Sequence, residues 1–265
     1  MADDRSFVTY QSYLKVPELL SLQSPLSDPE EHDEMLFIVI HQVYELWFKV
    51  VLQELDRIAA LLREGDGDRA ATSLKRVLTV LKVMVAQLDI LETMTPIEFA
   101  SFRDRLESGS GFQSAQFREL EFLLGHKRGS VLGGFSEGSP ERLRLERRRG
   151  EPTLWDAFLA FLARRGFAIP ADLLERDVAR PVAPDERVQE VLIELYRADP
   201  GLMALCERFV DLDEGVQEWR YRHVKMVERT IGTKRGTGGT TGAAYLGTTL
   251  NSPVFPDLWA IRAEL

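Results

Sequence analysis

Cysteine occurs once in 265 residues, as Cys206, so the chain can close no disulfide of its own and lacks the thiols for a cysteine-held zinc. Histidine occurs only at positions 32, 41, 126 and 223. None has Glu three residues before it, which excludes the Glu-x-x-His signature of di-iron bundles, and His-Glu-x-x-His is absent. Cys-x-x-Cys-His is missing too, so any haem is held without covalent attachment. Positive charge is in deficit. The 33 Lys and Arg against 42 Asp and Glu leave −9, which argues against nucleic acid or an anionic membrane as partner. No long uncharged run exists either: the most apolar stretch, Met35 to Leu55, is interrupted by His41, Gln42, Glu45, Lys49 and Gln53. The opening MADDRSF has nothing like a secretory signal. These absences lead to the expectation of a soluble cytoplasmic protein.

What is present is helical punctuation. Ser27-Asp28-Pro29-Glu30 offers a capping box with proline in the first turn, opening a helix to about Arg63. That helix is apolar on most faces (Leu36, Phe37, Ile40, Val43, Tyr44, Trp47, Phe48), as expected at the centre of a bundle. A turn at 64–68 precedes a second long helix with Leu74, Val77, Leu78, Leu81, Val85, Leu88 and Leu91 at helical spacing. Thr95-Pro96-Ile97-Glu98 caps a short helix to about Leu106, and Ser110 with Gln113 reads as the cap of the next, ending at Gly125. Residues 126–150 are polar, with arginines crowded at 142–149, and read as a solvated helical face. Segments 153–165, 188–198 and 200–231 continue the helical pattern, and a Gly/Thr-rich loop follows at 232–242. That loop follows a helix and lacks the Gly-Lys-Ser/Thr of a P-loop. No strand-rich block or repeat is evident. The expected fold is a single all-α domain over 1–265, with about 127–150 a peripheral excursion.

Two pairs carry possible chemistry. Phe37 and His41 lie four apart on the most buried helix, and Phe99 and Arg103 repeat that spacing on the Thr95-capped helix. An arginine on an apolar face suits a carboxylate, which matches its two-pronged geometry. From spacing alone, His41 is equally a satisfied core histidine, Arg103 a salt-bridged surface residue and Ser110 a helix cap. Trp219-Arg-Tyr-Arg-His223 can be read as an amphipathic surface turn.

Three longer segments narrow these alternatives. HisAspGluMetLeuPheIleValIleHisGlnValTyrGluLeuTrpPheLys (32–49), SerGlySerGlyPheGlnSerAlaGlnPheArg (108–118) and the run 219–242, from TrpArgTyrArgHis to GlyThrGlyGlyThrThrGly, resemble in order the signatures of the tryptophan 2,3-dioxygenase family. The resemblance implies an all-α bundle enclosing one non-covalent haem b per subunit, with His223 as the axial iron ligand and O2 as co-substrate. It implies His41 as the distal group that hydrogen-bonds the indole N–H, Phe37 as part of the apolar wall around the indole, and Arg103 on the substrate carboxylate with Phe99 packing beside it. Thr237 matches a threonine that touches the amino-acid head group, and Ser110 a serine at the haem edge. Tyr10, Tyr13 and Leu14, within the 1–26 segment, resemble an arm that completes a neighbour's pocket in a homotetramer, a dimer of dimers. The implied reaction opens the indole C2–C3 bond of L-tryptophan to N-formyl-L-kynurenine, the first step of tryptophan degradation by the kynurenine route. The alternatives are a relative that mono-oxygenates a substituted tryptophan to an oxindole-type product, and a non-catalytic haem-binding helical protein.

Overall fold

The computed structural model describes residues 7–107, 109–234, 236, 247, 250 and 252–265. Its centre is a pair of long antiparallel helices, α3 (His32–Glu64) and α4 (Gly67–Leu91), joined by a tight turn. Gly65 makes that turn at φ +90°, a left-handed conformation that suits glycine, and the Asp66 carboxylate caps α4. In the buried half of α3, Ile40, Tyr44, Phe48, Val51, Leu55, Ile58 and Leu62 follow helical spacing and meet Leu74, Val77, Leu81, Met84 and Leu88 of α4 in one core. The third long helix, α11 (Pro200–Ile231), lies against α4. Helix α8 (Leu154–Arg164) packs on α3, and α10 (Glu186–Ala198) on α11. Among the described residues no strand occurs, so the all-α expectation holds. α3 is the one described helix long and apolar enough to cross a membrane by length and composition, and part of its apolar surface packs in the bundle core.

Two helix starts differ from the sequence reading. The Ser27–Glu30 box does not cap α3, which begins at His32 after Glu31 with no side-chain cap. Instead Glu34 accepts the backbone N–H of Leu26 (2.8 Å) and Ser27 (3.0 Å), so its carboxylate fastens the incoming loop to the helix. Ser110 and Gln113 do form a capping box, but over a single 3-10 turn, 111–113; Ser114 caps the helix proper, α6 (Ala115–Leu123). The Thr95–Glu98 box caps α5 (Pro96–Arg103) as expected.

The arginine-rich stretch also departs from a purely solvated face. Its helix, α7 (Pro140–Arg149), packs on α6 and buries Leu145 completely. Arg148 makes a two-pronged pair with Asp56 of α3 (2.6 and 2.8 Å). Lys127, 1% exposed, donates from Nζ to the carbonyls of Arg148, Arg149 and Glu151, placing a cation where the helix dipole is negative.

Asp213 of α11 ties down the end of the chain. Its buried Oδ2 accepts the N–H of Val254 (2.8 Å) and Phe255 (2.9 Å) and the Trp259 indole N–H (2.9 Å). Phe255 and Leu258, the latter in α12 (Pro256–Ala260), then complete the core beside Trp155 and Phe209. Asp213→Ala leaves three donors without their acceptor, each costing about 1–3 kcal/mol if it stays dry. The expected outcome is a loss of at least about 3 kcal/mol in unfolding free energy, read as a lower urea midpoint.

Candidate functional site

His223 stands on α11 four residues after Trp219, and the two rings stack with centroids 5.4 Å apart and planes 9° from parallel. Trp219 is wedged among Phe117 of α6 (5.1 Å) and Phe48 (5.8 Å) and Tyr44 (6.2 Å) of α3. Tyr44 is itself fixed by donating its hydroxyl to the Met84 carbonyl at 2.6 Å. Aromatic packing therefore orients the imidazole, and among the described residues His223 makes no hydrogen bond. Burial pushes its pKa down to about 4, with the nearby charges of His41 and Arg118 acting in the same direction. At neutral pH it is an uncharged imidazole with a lone pair to offer.

His41 of α3 bears electrostatically on His223 and is held differently. Its Nδ1 lies 2.7 Å from the Phe37 carbonyl oxygen, which can only accept, so Nδ1 carries the hydrogen and Nε2 keeps the lone pair. By surface area His41 is exposed, yet desolvation is the largest influence on its charge and holds its pKa below the usual value. Around it, Phe37 lies 4.1 Å from the His41 ring, 5.7 Å from Phe99 and 5.6 Å from Phe102, and the last two meet edge-on at 5.4 Å. Arg103 closes α5 one turn after Phe99, half-buried.

The structure thus gathers Phe37, His41, Phe99 and Arg103 on α3 and α5, with His223 reached from α11. Ser110 caps its 3-10 turn, accepting the Phe112 N–H at 3.3 Å. Tyr10, Tyr13 and Leu14 form a short exposed helix, α1 (Tyr10–Leu14), that buries no residue and does not enter this chain's own site. Thr237 lies outside the described residues. The surface-turn reading of 219–223 is corrected: Trp219 packs on the core and Arg220 is 7% exposed. Sequence reasoning passed over Phe102, fully buried, and Phe117 and Arg118; the aromatic spacing on α5 and the Arg118/Glu121 pairing three apart were the available signals.

This donor set can be tested against a metal. Among the described residues no group of three or more His, Cys, Asp or Glu side chains could hold an ion. One neutral, rigidly oriented imidazole with no competing hydrogen bond fits a metal that brings its remaining ligands with it, as haem iron does. Fold and site define an all-α protein in which Phe37, Phe99 and Phe102 cluster beside the His41 imidazole, while a second imidazole, His223, is held on α11 by the Trp219 stack. The tryptophan 2,3-dioxygenase family model matches residues 2–136 and 156–265, so that the unmatched stretch contains α7. The chain is 59% identical to the tryptophan 2,3-dioxygenase of Herpetosiphon aurantiacus over 97% of this chain and 98% of that one. It is 57% identical to that of Anaeromyxobacter sp. strain K (97% and 96%) and 45% identical to that of Caulobacter vibrioides (100% of both). The chain belongs to the tryptophan 2,3-dioxygenase family.

Proposed function

We propose that this chain is a haem-dependent dioxygenase that opens the indole C2–C3 bond of L-tryptophan, adding both atoms of O2 to give N-formyl-L-kynurenine. The observation that carries this reading is the pair of neutral imidazoles, His223 with an uncommitted lone pair and His41 with Nε2 free to accept. His223 is the residue that would hold iron, and Ser110 would lie near the porphyrin edge. When bound, ferrous haem supplies a site at which O2 is activated toward an electron-rich ring.

The chain's own residues supply position and electrostatics. The indole N–H donates to His41 Nε2, whose low pKa keeps it an acceptor at neutral pH. Phe37 and Phe99 pack against the ring and exclude water from it, with Phe102 buried behind Phe37. Arg103 grips the substrate carboxylate with its planar fork, and Thr237 meets the amino-acid head group. These contacts convert a bimolecular encounter into a fixed geometry in which C2 and C3 face the oxygen.

The same reading extends to assembly. Tyr10 and Tyr13 are 73% and 76% exposed, apolar surface that a monomer in water has no reason to present. We propose that this arm completes the pocket of a neighbouring subunit in a homotetramer, that residues 1–265 form one domain, and that the protein works in the cytoplasm. Reduced enzyme supplied with tryptophan and 18O2 is expected to yield a product carrying two labelled atoms. A single labelled atom would make it a mono-oxygenase, and protein that stays colourless with haemin would remove the haem role altogether.

A further inference from the structure

Helix α5 is short and lies largely in solvent: Ile97 is 83% exposed, and Ala100 and Ser101 are exposed as well. A helix of two turns does not persist in water on its own propensity, so α5 depends on what holds it. The Thr95 box fastens its start. Beyond that cap, Phe102 is the one buried residue of α5, and it is buried completely. Where Phe102 seats, Phe99 one turn before it and Arg103 next to it are carried along.

That seat is aromatic. The Phe102 ring meets Phe37 of α3 at 5.6 Å with planes 63° apart, and Phe99 at 5.4 Å and 86°, both edge-on arrangements. Phe37 and Phe99 close the third side at 5.7 Å. The three rings form a triangle of nearly equal sides, with Phe102 as its inner corner and two half-buried rings as its outer corners. From Phe37 the packing continues to the His41 ring at 4.1 Å. Phe102 is therefore a wedge between α3 and α5. Close-packed side chains transmit a change of volume, so its bulk fixes how far Phe37 and Phe99 can draw back.

Resting on the tryptophan reading above, we propose that Phe102 is a positioning residue that sets substrate specificity. It touches no substrate atom and acts by backing the two phenylalanines against which the indole packs. With the wedge in place neither ring retreats, and an indole bearing an extra methyl on its six-membered ring is pushed away from His41 Nε2. Shortening Phe102 leaves space behind both rings, into which they relax. Volume lost at the back admits the methyl at the front. Any accompanying shift of Arg103 acts on the amino-acid head group, which both substrates share, and cancels when the two are compared.

The experiment compares two substrates on one enzyme. The ratio of kcat/KM for L-tryptophan to that for L-tryptophan methylated once on the six-membered ring, each positional isomer in turn, is measured for holoenzyme as wild type, Phe102→Leu and Phe102→Met. This ratio does not depend on the fraction of enzyme carrying haem or on a general loss of stability. Wild type is expected to favour tryptophan by about 10-fold or more over at least one isomer, the discrimination a packed apolar site makes for one methylene. Phe102→Leu should cut that preference by about 5- to 10-fold, and Phe102→Met by about 2- to 3-fold for the same isomer. Phe209→Leu is the control: Phe209 is fully buried among Trp155, Phe158 and Phe255, and its loss should lower Tm while leaving the ratio alone. A Phe102→Leu enzyme that loses activity on tryptophan and every isomer by one common factor overturns the proposal and leaves Phe102 as the anchor of α5. An equal shift of the ratio in Phe209→Leu overturns it as well. Should Phe102→Leu fail to fold, the Phe102→Met ratio decides, and a wild-type value there overturns the proposal. Wild-type holoenzyme that leaves tryptophan unconsumed overturns the dioxygenase reading itself, a failure that no Phe102 variant can produce.

Discussion

His223→Ala is expected to emerge from expression almost colourless, without a stable Soret band. The reason lies in what else could replace the ligand. His32 begins α3 on the surface, and His41 stands further along α3 with Nδ1 already committed to the Phe37 carbonyl. His126 lies past the end of α6 in the field of Arg220 and Arg128, beside Glu121, and Cys206 is sealed inside the bundle core. The loss should therefore be close to complete. It should also reach stability: a group bound at 100 to 1,000 times its dissociation constant contributes about 3–4 kcal/mol to the folded state, and the variant forfeits that. Thermal unfolding of wild type and variant, each with and without haemin, separates the two effects, since only wild type should respond to haemin. A variant with a normal Soret band would show that another residue holds the iron. Added imidazole, small enough to occupy the space left beside Trp219, is expected to restore part of the band.

Arg103→Ala should lower kcat/KM for tryptophan by about 30-fold to several thousand-fold, corresponding to ~2–5 kcal/mol for stripping one partner from a buried charge pair. The mechanism predicts more than weak binding. The substrate carboxylate is remote from the bond that breaks, so its grip serves to hold C2 and C3 in register with the oxygen. KM should rise and kcat should fall with it, and Arg103→Lys should recover charge attraction while losing the two-pronged geometry. Haem retention should be unchanged, because Arg103 stands on α5 among Phe99 and Phe102, away from the Trp219 stack. An unaltered KM in Arg103→Ala would remove the carboxylate role.

How much of this was readable in the residues depends on whether the physics is local. The Thr95 cap, the helical spacing on α4 and the bounds of α11 are set within a few residues, and they stand in the structure where the spacing puts them. The Ser27–Glu30 box misled because Glu34, the third residue of α3, took the N–H groups of Leu26 and Ser27 and fastened the loop there instead. Likewise the polarity of 127–150 concealed Lys127 and Arg148, whose partners on α7 and α3 are 21 to 92 residues away.

Sequence by itself determined the helical class, the element order and the family, since helix periodicity and ordered motifs are properties of neighbouring residues. Only the tertiary structure decided that Phe37, Phe99 and Phe102 gather beside His41, that Trp219 steers the second imidazole, and that Glu121 collects three arginines from two helices and a loop. The physical reason is that burial and charge depend on what packs nearby in space, and α3, α5, α6 and α11 come together through a core whose contacts span most of the chain.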